Sequence, residues 1–377
     1  TFPNAASTMN QFNLPNVDKA KGFVHGVPTV MANFWGKTLG VIQLQLVARD
    51  GRWSVDRTKT VVEARNIQNA DRSFVTPLPA VAETVRAEHQ ATIDYVKTPI
   101  GSSDFAMTSY FADVGDVSAM QIVNMAQTDY VANYVKQTMP QFASLPVLST
   151  ASPFKTGFAG GADFTDVAAG PIAINNAADL YLFPNTLYAV KVDGAGLKAW
   201  LEAAARRFNQ IDPARTTEQS LTGTAPGYTF DMLTHPDMSY EIDVSKPFGS
   251  RIVNLSYKGT AVSPSAEFIV ATNNYRASGG GNFPGLDGSK TIFASPDTNR
   301  EVLINYVKAV KTLSRAAHGS ARSWRFVKLA TAGPVVFKSA PGKVAVAQAA
   351  GINNVRELRA DDGSGKGLAV YAIDLSK

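Results

Sequence analysis

The chain has 377 residues, 45% of them hydrophobic and 18% charged, with 20 Phe and 12 Tyr. That is longer than one ordinary domain and apolar enough to bury a sizeable core, which excludes a largely disordered chain. Cysteine is absent, which excludes disulfide frameworks and thiolate metal sites without fixing the compartment. A formal net charge of +5 favours anionic small ligands but is too slight to imply polymeric nucleic acid.

In chain order, Thr1 opens the sequence with no basic-then-apolar leader, which reads as a processed product or an excised piece. No apolar run approaches the roughly 20 residues of a membrane helix, so no membrane insertion is expected. Val41 to Val47 reads as a strand, and the Asp50-Gly51 turn into Trp53-Ser-Val55 reads as a hairpin. Thr76-Pro-Leu-Pro79 precedes an amphipathic helix with Val81, Val85, Thr92 and Val96 on one stripe.

Helical spacing recurs at Met120, Val123, Gln127, Tyr130 and Tyr134. A strand from Tyr188 to Val192 turns at Asp193-Gly194 into a helix carrying Leu197, Trp200, Leu201, Ala204 and Phe208. Strands at Arg251 to Tyr257 and Ala266 to Thr272 flank Lys258-Gly259, and Thr298-x-x-Glu301 is a capping box opening a helix with Val302, Tyr306, Val307, Val310 and Leu313 on its core stripe. Short strands follow at Trp324 to Leu329, Val335 to Lys338 and Leu368 to Ile373. The expected class is α+β (mixed α/β). Expected boundaries are 1–75 for the last strands of a first domain, 76–98 for a linker helix, 99–330 for a ligand-binding domain and 331–377 for a C-terminal β extension.

The four histidines, His25, His89, His235 and His318, lie outside metal-ligand spacing of one another, and neither H-E-x-x-H nor Asp-x-His occurs. They read as surface or structural residues, and no catalytic or metal-ligating residue is expected in this chain. No G-x-S-x-G elbow is present. Asp362-Gly-Ser-Gly-Lys-Gly367 lacks the first glycine and the final Ser or Thr of a phosphate loop and reads as a flexible turn. The basic residues Lys308, Arg315, Arg322, Arg325 and Lys328 read as a solvated helix face and strand.

The richest segment is Ala271-Thr-Asn-Asn-Tyr-Arg-Ala-Ser-Gly-Gly-Gly-Asn-Phe-Pro-Gly285. A strand runs into it, Gly279, Gly280 and Gly281 permit close backbone approach, and Tyr275 and Phe283 bracket them with faces that can stack on a base. Composition leaves it open between a surface loop and a ligand-binding loop. Phe183, ahead of Pro184, reads as a strand-end residue that is either core or ligand contact.

Five motifs in order carry a resemblance across nearly the whole chain. They are His25-Gly-Val-Pro with Phe34-Trp-Gly36 and Leu39-Gly-Val-Ile42; Ala151-Ser-Pro-Phe-Lys155; Asn176 to Leu187; Phe208-Asn-Gln-Ile-Asp-Pro213; and Ala271 to Gly285. The chain resembles the bacterial periplasmic 2′,3′-cyclic-nucleotide 2′-phosphodiesterase/3′-nucleotidases, within the 5′-nucleotidase family. The resemblance implies a C-terminal, 5′-nucleotidase-type substrate-binding domain preceded by the last strands of a metallophosphoesterase domain. The two divalent metal ions of that domain would be held by residues outside this chain, leaving the chain alone inactive, and the location would be periplasmic or extracellular.

The resemblance further implies small-molecule nucleotides or nucleosides as partners, the base lying between Phe183 and Tyr275. Asn185, Asn273, Asn274, Arg276, Gly279, Gly280 and Gly281 would edge base and ribose, Phe283 would stand with them among the substrate-binding residues, and Lys155 would offer charge to a phosphate, as a point rather than a fork. Gly281 stands where 5′-nucleotidases carry an aspartate, Lys155 where they carry an arginine, and Phe105 to Gln127 contains no arginine. The departures at Gly281 and in Phe105 to Gln127 favour the cyclic-phosphodiesterase branch. A 5′-nucleotidase and a non-catalytic ligand-binding or surface module stay open as alternatives.

Overall fold

Asp50 and Gly51 both take positive φ, 50° and 72°, the backbone that a two-residue hairpin turn demands. They close Leu46–Arg49 onto Arg52–Val55 with Arg49 opposite Arg52, as the sequence led us to expect. The computed structural model describes every residue except 8, 10, 11, 72 and 116. Its contacts separate into two units, Thr1–Gln90 and Ala91–Lys377.

In the first unit the run from Val41 to Val47 is two strands rather than one. Thr38–Gln43 pairs antiparallel with Val61–Asn66, and Leu46–Arg49 belongs to the hairpin. Of the described hydrophobic residues here, only Phe2 and Val62 are buried, while Trp35 and Trp53 are 77% and 73% exposed. A stretch of this length with so little buried apolar surface has no adequate core of its own.

The segment expected as one linker helix is two, Pro79–Thr84 and Arg86–Val96, with no buried residue in either. The stripe through Val81 and Val85 is solvent-exposed. The unit boundary falls inside the second helix, beyond residue 75.

The second unit is built on a mixed five-stranded sheet. Its strands are β1 (Val147–Ala151), β2 (Thr186–Asp193), β3 (Met232–Leu233), β4 (Glu267–Asn273) and β5 (Thr291–Thr298), ordered β3-β1-β4-β2-β5. β1 runs parallel to β4; β2 is antiparallel to β4 and β5, and β3 to β1. Phe268 to Thr272 of β4 are all buried, the near-continuous apolar run of a strand covered on both faces.

Among its helices, those that bear on the site are, in chain order, α1 (Ser118–Thr138), α2 (Gly194–Ala204), α3 (Asn274–Ala277) and α4 (Asn299–Val310). α1 packs on β1 and β4 and against α4, while α2 packs on β2 and β3. Asp193 caps α2 by accepting from the Gly196 N–H at 2.7 Å. The Thr298–Glu301 capping box forms at α4 in both directions.

The stretch 331–377, expected as an extension, is woven into this unit. Val335–Ser339, Ala369–Ile373 and Val355–Arg359 form a sheet with Gln219–Ser220. Phe337 and Tyr371 meet Phe111 edge-on at 6.0 and 5.4 Å.

Candidate functional site

Strand direction gathers segments that are far apart in sequence. Because β1 and β4 are parallel and β2 and β3 run against them, the ends of β1 and β4 and the starts of β2 and β3 share one end of the sheet. Ser152 to Lys155 leaves β1 there, Asn273 to Gly285 leaves β4, Phe183 to Asn185 enters β2, and Asp231 enters β3. Ligands of open sheets gather at such strand ends.

The loops before β2 and after β4 are laced together. Asn274 Oδ1 accepts from the Thr186 N–H at 3.2 Å. The buried Tyr181 hydroxyl is hydrogen-bonded to the Asn185 side chain and takes a bond from Asn273 Nδ2 at 3.1 Å. Burial pushes the Tyr181 phenol up to about 12, with those two asparagines and the Arg276 charge pulling the other way. Asn273 also caps α3, its Oδ1 accepting from the Arg276 N–H at 2.8 Å. The three asparagines expected to edge a ligand thus each have a partner within the loops.

Phe183 and Tyr275 are 43% and 53% exposed, unusual for large aromatic rings in a unit whose other aromatics mostly lie in its core. Phe183 is braced by the Phe154 ring at 5.0 Å and 85°, and Phe154 in turn meets Tyr181 at 5.0 Å and 79°. The Tyr275 ring lies across Gly280, where any Cβ would collide with it. Gly279 and Gly281 take φ of 100° and 78°, conformations that side chains resist.

Arg276 is placed otherwise than the sequence led us to expect. It is 3% exposed, and its guanidinium grips Asp231 with Nε at 2.7 Å and Nη2 at 2.9 Å. It also donates to the Gly280 and Tyr228 carbonyls. Phe283, expected to bracket the glycines, is 6% exposed beneath the same guanidinium, 3.7 Å from ring centre to charge. Both fix the loop from behind. Lys155 is only partly exposed, and its ammonium is paired with Asp179.

Asp231 is the group that sequence reasoning missed. Beyond Arg276 it accepts from Ser152 Oγ and Trp200 Nε1, each at 2.6 Å, so one buried carboxylate ties β1, α2 and the glycine loop together. The available signal was an acid set among Phe230, Met232 and Leu233, where a charge survives only if it is paired. Among the described residues no three His, Cys, Asp or Glu side chains group as metal donors, so the residues present do not fit a divalent metal pair. No helix among them is long and apolar enough to cross a membrane.

The profile of the 5′-nucleotidase C-terminal domain matches residues 99–288, half of the chain. The trifunctional nucleotide phosphoesterase protein YfkN of Bacillus subtilis is 40% identical over 84% of this chain and 22% of its own length. The 2′,3′-cyclic-nucleotide 2′-phosphodiesterase/3′-nucleotidase of Salmonella typhimurium is 39% identical over 97% of this chain and 59% of its own. That of Haemophilus influenzae is 36% identical over 100% and 59%. The chain thus spans well under two thirds of these relatives. Among solved structures, a candidate 5′-nucleotidase of Staphylococcus aureus superposes with a TM-score of 0.54 at 17% identity, over 80% of this chain and 53% of that one. That likeness is one of fold. The chain belongs to the 5′-nucleotidase C-terminal domain family.

Proposed function

We propose that this chain is the nucleoside-holding portion of a hydrolase that opens 2′,3′-cyclic nucleotides and dephosphorylates 3′-nucleotides, its base gripped between Phe183 and Tyr275. The observation that carries the reading is the pair of exposed rings on two laced loops at one sheet end, Phe183 packed edge-on against Phe154 and Tyr275 against Gly280. The names of the Salmonella and Haemophilus relatives favour this reaction, at identities of 39% and 36%. A stacked ring pair accepts any base, because every base has a π face.

In this reading the chemistry belongs to residues outside the chain. Divalent metal ions, held by those outside residues, would supply Lewis-acid chemistry at the phosphate. What this chain contributes is position. Holding the base fixes a remote phosphate in reach of the reacting groups, a conversion of binding energy into orientation. Asn185, Asn273 and Asn274 keep amide valences beyond their loop contacts for base and ribose edges. Lys155 would meet the phosphate only by leaving Asp179. The exposed apolar surface of the first unit is consistent with a preceding segment that completes it, in a protein that works in the periplasm or outside the cell.

The test is a paired measurement on this chain. Adenosine 3′-monophosphate should bind in a calorimetric titration, while bis(p-nitrophenyl) phosphate should not turn over with Mn²⁺ added. Metal-dependent hydrolysis by a clean preparation would place chemistry in this chain and overturn the division of labour; absence of nucleotide binding would overturn the holding role.

A further inference from the structure

A concavity of the second unit, about 540 Å³, is lined by Arg322, Arg325, Lys328, Lys377, Trp324 and Phe326 among others, with no carboxylate side chain in its lining. We infer that it is a second ligand site, for a small, multiply charged oxyanion of the phosphate class. The inference does not depend on the aromatic ring pair, whose residues are all elsewhere.

Charge is the first argument. Arg325 is paired with Glu241 at 2.7 Å and Lys377 with Asp374 at 3.1 Å. Arg322 and Lys328 have no carboxylate partner among the described residues. Cations facing one another around a concave wall repel, and a bound anion relieves that repulsion. Gly351, at φ 76°, admits the Arg322 guanidinium where a Cβ would collide with it, so the wall is shaped around this side chain.

The second argument is the donor chemistry. Arg322 and Lys328 are exposed and, among the described residues, free of carboxylate partners, a donor set suited to an oxyanion rather than to a neutral polar ligand. Trp324 lines the same wall but is 3% exposed, its indole N–H closed to solvent and without an acceptor, so it is a reporter beside the site and not a ligand contact.

Single-stranded nucleic acid is less well matched. Such interfaces stack bases on open aromatic faces, whereas Trp324 and Phe326 are 3% and 9% exposed. The basic stretch that reads from sequence as a solvated face therefore separates: Arg315 lies over the Phe105 ring, while Arg322, Arg325 and Lys328 gather at the cavity.

The experiment follows the four indole N–H signals that four Trp residues provide in ¹⁵N-labelled protein, with calorimetry alongside. Inorganic pyrophosphate should shift one indole signal saturably, and that signal should be the one missing from Trp324→Tyr. Arg322→Gln/Lys328→Gln, two exposed changes, should weaken pyrophosphate binding at least tenfold in calorimetry. Tyr275→Ala should leave it unchanged. The proposal is overturned if sodium chloride at equal ionic strength gives the same shift, if the double variant binds pyrophosphate as tightly as the parent, or if a short oligonucleotide displaces pyrophosphate at far lower concentration.

Discussion

Asp231→Ala is expected to destabilise the second unit by about 3–5 kcal/mol, the usual result of removing one partner from a buried ion pair, and to lower Tm by roughly 10 °C. Both side chains of the Asp231–Arg276 pair are 4% exposed, so water cannot take over from the lost carboxylate. The substitution also strands Ser152 Oγ and Trp200 Nε1, adding to the cost. Thermal unfolding checks this. Asp231→Asn should lose less, since its amide oxygen still accepts while the charge does not return. Asp231→Leu/Arg276→Met should recover much of the stability, because apolar side chains of similar volume often replace a buried pair without loss. It should not recover nucleoside affinity, because the guanidinium also holds the Gly280 carbonyl and so the loop beneath Tyr275.

Tyr275→Ala is expected to weaken nucleoside binding by about 1–3 kcal/mol, the usual contribution of one stacked base, or roughly 5- to 150-fold in Kd. Tyr275 is exposed, so Tm should stay close to that of the parent, and a titration at fixed temperature separates binding from folding. Tyr275→Phe keeps the ring and should bind nearly as the parent does. Gly280→Ala should act in the same direction as Tyr275→Ala without touching the ring, since its methyl group occupies the space that the ring covers. Unchanged adenosine affinity in both Tyr275→Ala and Gly280→Ala would remove the ring from the site.

Local features were legible in the sequence. The Asp50-Gly51 turn, the Thr298–Glu301 capping box and the strand from Tyr188 to Val192 rest on neighbours two to four residues apart, and each forms. The exposure of Phe183 was not legible, because a strand-end location leaves core and surface both open, and Tyr181 and Arg276 at the same strand ends are buried. Orientation within the glycine segment was not legible. Adjacent residues of α3 point about 100° apart, so either Tyr275 or Arg276 could have faced outward. Asp231, 45 residues away in sequence, decides that Arg276 turns in, and no local pattern announces that pairing. The same holds for Lys155, whose charge is met by Asp179 on a different segment. The single strand expected from Val41 to Val47 failed for another reason: apolar alternation does not mark where one strand passes its partner to the next.

The most direct test of the account is a crystal of this chain soaked with adenosine 3′-monophosphate. The account predicts difference density for a flat base layered between the Phe183 and Tyr275 rings, with the ribose toward Asn185 and Asn273. A nucleotide seated away from both rings, with Phe183 and Tyr275 as exposed as before, would contradict it.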